Sequence, residues 1–358
     1  MQKNRISFNG QKIFIGIDVH KTTWAIAVVT ESGVMKKHPQ KASAKELFEF
    51  LKKHYPDGEY YAVYESGFSG FSTYYALTEL GINCIVIHAA DVPTTQYEDV
   101  MKTDNIDAVK LAKALRKGDL KSVYIREKEN LDDRSVIRIR KTIQKDLCGY
   151  KSRVKHMLYC HGIQMPERYN HSGTYWSKAF IQWLKEDVRL LSSSRVSLDL
   201  LIHQVEINCQ LLLEATRTIR LLSQTDRYKS NFDLLMSIPG IGVQVSMCIL
   251  TEIYDVNRFH NEREFAHYLG LIPTCHDSGD KKSNGQKTFR GNKQLGPMIV
   301  EASWKAIRSD IGLGMAFSRY LQRMKPQEGI IKIARKLSNI IYSVLKNAKP
   351  YKPYNWDK

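Results

Sequence analysis

The sequence lacks the long apolar segment that a membrane-spanning helix requires. No run of about 18 consecutive apolar residues occurs anywhere in the chain. The first residues, MQKNRISFNG, also lack the apolar stretch of a secretory signal peptide. We therefore expect a cytoplasmic protein with no membrane partner.

Paired cysteines and a nucleotide-binding loop are missing as well. The six cysteines include no CxxC pair, which argues against a zinc ribbon or a disulfide framework. No GxxxxGK[ST] segment occurs, so nucleotide hydrolysis is not expected to drive a reaction. Acidic residues are outnumbered, 37 against 54 basic ones, and the net charge is +17. Because each neutralised phosphate releases counterions, this excess indicates a nucleic-acid partner.

The apolar pattern divides the chain into three predicted domains. Residues 1–127 begin with a strand hairpin over Lys12 to Thr30 and continue as alternating helices and strands, which is typical of an α/β sheet flanked by helices. Residues 128–226 have an all-α pattern. Residues 227–358 are predicted to be helical, with one polar loop from Pro273 to Lys293 and a loose tail.

One helix of the central domain carries a heptad seam with a polar residue, Asn208, that could fix its register. This seam predicts either packing on another helix of the same chain or a self-associating coiled coil, and with it a homodimer or homotetramer. The positions, which follow alternating steps of three and four, are Leu198, Leu201, Val205, Asn208, Leu212, Ala215, Ile219 and Leu222.

Another helix of this domain is strongly basic. Between Arg134 and Lys155 it has eight basic residues and one acid. The charge fits either a solvated helix face or a surface that contacts phosphates. Under the second interpretation, Arg138, Lys141 and Lys145 bind nucleic acid.

Four carboxylates stand at the ends of predicted elements in the first domain. Asp18 follows a strand in GIDVHK, Glu65 ends the strand EYYAVYE, and Asp104 and Asp107 are three residues apart at a helix start. Together they could form an oxygen-rich pocket for Mg²⁺, which assists phosphoryl transfer. Alternatively, Asp104 caps its helix, and Asp18 and Glu65 are turn residues.

The polar segment CHDSGDKKSNGQKTFRGNKQL contains a candidate nucleophile, Ser278, and a weaker one, Ser283. A serine attacks a phosphodiester only if its proton is removed and the phosphoryl charge is stabilised. His276, Asp277 and the distant acidic cluster are alternative bases. The alternative is a Ser-Gly turn in a phosphate-binding loop. The basic residues that could stabilise the charge are Lys281, Lys282, Lys287, Arg290 and Lys293.

The segment SIPGIGVQVSMCIL has the form of a helix-hairpin-helix turn. A helix is predicted to end near Met236, and another begins after Gly240 and Gly242. Amides at the start of the second helix could hold a DNA phosphate without reading sequence. A purely structural turn is the alternative.

These motifs, in this order, resemble the DEDD-type transposases of the insertion-sequence 110 family, relatives of the Piv DNA invertase. GIDVHK, the YES strand end and KTDNIDAVKLAKAL correspond to the family's acidic tetrad, Asp18, Glu65, Asp104 and Asp107. IPGIG and GLIPTCHDSG with TFRGNKQL correspond to its C-terminal domain, with Ser278 as the nucleophile.

The resemblance implies a RuvC-like, ribonuclease-H-like N-terminal domain, a helical coiled-coil stalk and a helical C-terminal transposase domain. It also implies Mg²⁺, dimers or tetramers, and a structured bridge RNA that guides the protein to donor and target DNA. The expected function is recombination through a covalent phosphoserine. The alternatives are a RuvC-like Mg²⁺-dependent junction nuclease and a non-catalytic nucleic-acid-binding protein.

Overall fold

A computed structural model describes residues 7–92, 103–171, 173–278, 281–287 and 291–353. The chain divides into two compact units, Met1–Ile125 and Arg126–Lys358. Among the described helices, none has the length and apolar character needed to cross a bilayer. The division into three domains, with boundaries after residues 127 and 226, stays a prediction.

The first unit is a mixed α/β fold built on a five-stranded sheet in the order β3-β2-β1-β4-β5. Strands β1, β2 and β3 are antiparallel neighbours, as the predicted hairpin requires, whereas β4 runs parallel to both β1 and β5. The elements are β1 (Lys12–Val19), β2 (Thr23–Thr30), β3 (Met35–Lys41), α1 (Ala44–His54), β4 (Glu59–Glu65), α2 (Ser72–Glu79), β5 (Asn83–Ile87) and α3 (Asp104–Lys117).

Strand β1 alternates between two cores, because successive side chains of a strand point to opposite faces of the sheet. Ile15 and Ile17 are fully buried in the core that contains α1 and α2. Phe14, on the other face, packs against the core that contains Ala108 and Ala112 of α3. The sheet is therefore covered by helices on both faces, and Asp18 follows on the α3 side.

Helix α3 has an acidic first turn and a glycine at its C-terminal end. It begins at Asp104, with Thr103 as the N-cap residue, so the interpretation in which Asp104 caps the helix is wrong. Asp104 and Asp107 both lie in its first turn, where carboxylates interact favourably with the helix dipole. Gly118 ends the helix with a φ of 77°, a left-handed conformation that glycine adopts without a steric penalty.

Among the described residues of the second unit, the regular elements are helices and one β-hairpin. The predicted polar loop is wrong in part, because residues 273–278 and 281–287 form two antiparallel strands. The elements are α4 (Lys128–Cys160), α5 (Lys178–Glu186), α6 (Ser192–Ser223), α7 (Lys229–Met236), α8 (Val243–Ile253), α9 (Glu262–Tyr268), β6 (Pro273–Ser278), β7 (Lys281–Lys287), α10 (Leu295–Ser309), α11 (Ile311–Leu321) and α12 (Pro326–Asn347).

Helices α4 and α6 pack against each other along their lengths. The start of α4 meets the end of α6, where Ile137 and Ile219 share a core, and its end meets the start of α6, where Leu158 and Leu198 share another. The two helices are thus antiparallel. Leu198, Val205, Asn208 and Ile219 of the predicted seam are buried. The seam thus packs, at least in part, on another helix of the same chain, as one of the two interpretations predicted. Self-association stays a prediction.

Candidate functional site

Two of the predicted acids follow paired positions on neighbouring parallel strands. Ile17 of β1 is in register with Tyr64 of β4, and Asp18 and Glu65 are the next residues along each chain. The carboxyl ends of parallel strands meet at one edge of a sheet, where ligands of α/β proteins commonly bind. The alternation of β1 and β4 therefore delivers both carboxylates to that edge.

Gly16 brings the other two acids to the same place. A Cβ atom at this position would collide with the carbonyl oxygen of Ala108 and lie 2.5 Å from the backbone nitrogen of Ala112. Only a glycine therefore lets α3 approach β1 so closely. The first turn of α3, with Asp104 and Asp107, is brought within electrostatic range of Asp18 as a result.

His20 joins the cluster, although the sequence analysis did not identify it. Its Nε2 atom lies 3.2 Å from Oδ2 of Asp18 and 3.2 Å from Oδ2 of Asp104. One ligand atom from each of these three residues lies within 4.8 Å of the others. The signal was present in GIDVHK, where the histidine stands two residues after the aspartate.

The charge at this cluster is predominantly negative. Burial raises the pKa of Asp18, His20 lowers it, and the nearby Asp104 and Asp107 raise it, with an increase as the net result. The side chain of Asp18 is 25% exposed and that of Asp104 is 66% exposed. Carboxylate oxygens and an imidazole nitrogen in an accessible, charge-rich position form a donor set that fits a divalent cation.

In the second unit, three of the basic residues predicted to bind nucleic acid, Arg138, Lys141 and Lys145, line one cavity of about 470 Å³. Arg138 donates to Oε1 of Glu252 over 2.9 Å, so its charge has a partner in the protein. Lys141 donates to the neutral side chain of Gln294 over 2.5 Å. Lys145 is exposed. The two lysines, unlike Arg138, thus face the cavity without an ion-pair partner among the described residues.

Glu252 is a fully buried acid that the sequence analysis missed. Oε1 lies 3.0 Å from Nε of Arg134 and 2.9 Å from Nε of Arg138, and Oε2 accepts a hydrogen bond of 3.1 Å from Asn292. Burial raises its pKa, but the two arginines outweigh burial and hold the pKa at about 2. In the sequence, the available sign of a buried acid was weak: a glutamate within the apolar run VSMCILTEI.

Ser278 is the last residue of β6. The register of the hairpin pairs it with Lys281, pairs Asp277 with Lys282, and pairs His276 with Ser283. The register therefore sets basic residues across from the serine and its neighbour. The roles of Ser278 and of these lysines stay predictions. Lys293 is exposed just before α10, and Arg290 lies outside the described residues.

The turn between α7 and α8 has the predicted form. Gly240 has a φ of 85°, and a Cβ there would lie 2.6 Å from the carbonyl oxygen of Ala302 in α10. This glycine is therefore needed for helix packing. Gly242 is the N-cap residue of α8, and a Cβ there would meet no atom within 4 Å. Of these two glycines, Gly242 is thus the one with open space beside it.

Two family models match the chain. Residues 15–161 match the DEDD transposase model of IS110 type, and residues 232–318 match the transposase IS116/IS110/IS902 family. The first match covers the acidic cluster and the second covers the hairpin with Ser278.

Named relatives agree with these matches. The transposase for insertion sequence element IS1533 of Leptospira borgpetersenii is 24% identical over 350 residues, 95% of this chain and 97% of the relative. A putative transposase of Sinorhizobium fredii, y4qE, is 26% identical over 82% of this chain and 72% of its own length. The pilin gene-inverting protein of Moraxella bovis is 31% identical over 37% of this chain and 42% of its own length.

Proposed function

Since this chain belongs to the IS110 family of transposases, we propose that it cuts and rejoins DNA through a covalent phosphoserine with metal assistance. Transposases cleave and transfer DNA strands, so the reaction is phosphoryl transfer. The observation that carries the proposal is the convergence of Asp18, His20 and Asp104 at the end of β1. Such an accessible negative cluster is suited to a cation that contacts a phosphate.

We infer that the first unit is RuvC-like, with a ribonuclease-H-like sheet. The strand order, with three antiparallel strands followed by two that run parallel to the first, supports this inference. Asp18, Glu65, Asp104 and Asp107 are the proposed ligands of Mg²⁺, and His20 is the residue that orients two of them. When bound, Mg²⁺ would stabilise the negative charge that develops on the phosphoryl and leaving oxygens.

Ser278 is the proposed nucleophile. Its hydroxyl oxygen attacks the phosphorus, and its proton passes to a base. The bond from phosphorus to one DNA oxygen then breaks, and that oxygen takes a proton from water or from the protonated base and leaves as a hydroxyl. The phosphoester is conserved in the serine adduct, so a second DNA hydroxyl can displace the serine without an external energy source. The register that sets Lys281 opposite Ser278 supports this assignment, because a cation there would stabilise the phosphorane.

The proposed partners are donor and target DNA, a structured guide RNA and further copies of this chain. The net charge of +17 supports extensive phosphate contact. The cavity that carries Lys141 and Lys145, together with Gly242, Lys281, Lys282 and Lys293, is the proposed source of those contacts.

A trapped adduct tests the nucleophile. Labelled donor or target DNA is incubated with the protein and Mg²⁺, with and without RNA transcribed from the surrounding element, and then denatured. Wild type and Ser283→Ala should carry label, whereas Ser278→Ala should carry none. Normal recombination by Ser278→Ala would refute the assignment. Nicking by wild type without any adduct would favour the RuvC-like junction nuclease, which the acidic cluster alone could support.

A further inference from the structure

A groove lies at the far end of the α4–α6 pair from the Glu252 cluster. It is bounded by α4, the turn before α5, α5 itself and the middle of α6, and its volume is about 780 Å³. We call it the stalk groove, and define it by Lys151, Trp176, Lys178, Lys185 and Glu206. The volume lies within the range of about 300–1,000 Å³ that is typical of ligand sites.

An aromatic ring, that of Trp176, lines the stalk groove, and further aromatic rings pack behind it. The ring of Trp176 is partly exposed, meets Phe180 edge-on at a centroid distance of 5.2 Å, and has Nζ of Lys151 5.2 Å from its centroid. Tyr175 adjoins it at 5.6 Å, and Nζ of Lys155 lies 4.4 Å from the Tyr175 centroid. At the groove surface, the flat face of Trp176 is thus combined with the ammonium group of Lys151.

The backbone holds the tryptophan in a strained conformation. Trp176 has a φ of 64°, which bulky residues rarely adopt. Ser177 follows as the N-cap of α5, and its side chain accepts a hydrogen bond from the backbone nitrogen of Phe180. Helix α5 is thereby anchored directly after the strained residue. Strain of this kind persists where the surroundings enforce it, commonly at binding sites.

The lining of the groove is positively charged. Lys151, Lys178 and Lys185 contribute three positive charges, and Glu206 contributes one negative charge. Glu206 accepts a bond of 2.7 Å from Lys185, so this pair is neutral and the other two lysines define the potential. An anionic ligand with flat apolar faces is the match for such a surface.

We propose that the stalk groove binds single-stranded nucleic acid by stacking a base on Trp176 while Lys151 and Lys178 contact the flanking phosphates. Unpaired bases offer their faces to aromatic side chains, whereas bases in a duplex are already stacked. The inference rests on the proposed function only in that the chain acts on nucleic acid, and it is independent of Ser278. An RNA loop and a displaced DNA strand share this chemistry.

Binding of short oligonucleotides to the full chain tests the proposal. Fluorescein-labelled oligo(U) and oligo(dT) of about 12 nucleotides, and a duplex of equal length, are titrated by anisotropy. Trp176→Leu should weaken binding of single strands roughly 5- to 150-fold, the equivalent of about 1–3 kcal/mol for one stacked base. Trp176→Phe should restore most of the affinity, and duplex binding should not change. Tighter binding of oligo(U) would identify RNA as the ligand, and tighter binding of oligo(dT) would identify DNA. Equal binding would support a groove that accepts either kind of single strand.

The phosphate contacts proposed for the lysines are tested by the salt dependence of binding. Lys151→Gln should lower the slope of log affinity against log salt by about 0.7, the value for one phosphate contact in a single strand. Lys305→Gln, an exposed lysine of α10, is the matched control and should leave binding by the groove unchanged. Photo-crosslinking of oligo(U) that carries 5-iodouridine should label the peptide that contains Trp176, which checks the site without any substitution.

Three results would overturn the proposal. One is unchanged affinity of folded Trp176→Leu for single strands, with folding verified by circular dichroism. Another is an equal loss of duplex binding, which would indicate a general disturbance of the unit. The third is a change in sedimentation mass with unchanged oligonucleotide binding, which would make the groove an interface between copies of this chain.

Discussion

The two units each contain a cluster of charged residues around a carboxylate, and the two carboxylates are in opposite surroundings. Asp18 is partly exposed, and burial and two neighbouring acids raise its pKa despite His20. Glu252 is fully buried, and two arginines bring its pKa to about 2. The protein supplies cations to the second carboxylate but chiefly anions to the first. A partly exposed carboxylate whose pKa its neighbours raise on balance is suited to an external cation. A buried carboxylate held by two arginines instead leaves an uncompensated charge when one partner is removed.

Removal of charge from the first cluster should have the largest effect on activity. Asp18→Asn and Asp104→Asn are expected to abolish Mg²⁺-dependent strand cleavage, because each loses a proposed ligand that phosphoryl transfer needs. Affinity for DNA and the thermal unfolding temperature should stay near the wild-type values. Cleavage gels, anisotropy and calorimetry measure the three quantities.

Asp119→Asn, at an exposed acid of the same unit, is the matched control and should cleave normally. Substantial cleavage by both cluster variants would refute the metal-site interpretation. Global unfolding of both variants would do the same, since it would mean that these acids stabilise the fold.

Removal of the second carboxylate should instead destabilise the protein. Glu252→Ala removes the carboxylate that neutralises Arg134 and Arg138. Removal of one partner of a fully buried ion pair lowers the unfolding free energy by about 3–5 kcal/mol. Because Arg138 is 45% exposed and can be hydrated, we expect a loss near the lower end, about 3 kcal/mol. Urea unfolding measures the loss. Glu301→Gln, an exposed acid at the same cavity, is the control and should change stability by less than about 0.5 kcal/mol.

The pH dependence of unfolding sharpens this contrast. The pKa of Glu252 is lower in the fold than its ordinary value of 4.5, so its ionised form stabilises the native state. That contribution is complete above about pH 4.5 and is lost as the pH falls towards about 2. The difference in unfolding free energy between wild type and Glu252→Gln should therefore shrink over this interval. A difference that is constant from pH 7 to pH 2 would show that charge is not the cause.

The sequence predicted the first unit better than the second, for physical reasons. Strands β1 and β4 alternate regularly between two apolar faces, so both the hairpin and the acids at the strand ends could be located. The hairpin of β6 and β7 is polar throughout and has no such alternation. Its available signal was the pair Gly279–Asp280 between the two strands, a combination typical of hairpin connections.

Residues that act through distant contacts were not predictable from local patterns. Glu252 is recognised only when Arg134 and Arg138, more than a hundred positions earlier, are packed against it. The local pattern of the basic helix did not reveal that Arg138 has an ion-pair partner in the protein. Its contact with phosphate stays a prediction. The heptad seam of α6 was visible, but the choice between an internal and an external partner depends on where α4 lies.

The smallest expected effect concerns the basic residues around the cavity of the second unit. A cation that already has an ion-pair partner releases few counterions from DNA, whereas one that binds a neutral group retains its full charge. Lys141→Gln with Lys145→Gln should therefore lower the salt slope of duplex binding by about 1.8, taking 0.9 for each phosphate contact. Arg138→Gln should leave the slope nearly unchanged. It should lower the unfolding free energy instead, because the buried Glu252 loses one of the two arginines that neutralise it. Anisotropy titrations at several salt concentrations and urea unfolding of the same variants separate the two effects. An unchanged slope in the double lysine variant would make this helix a solvated face, and a full loss of slope in Arg138→Gln would show that its ion pair opens to bind DNA.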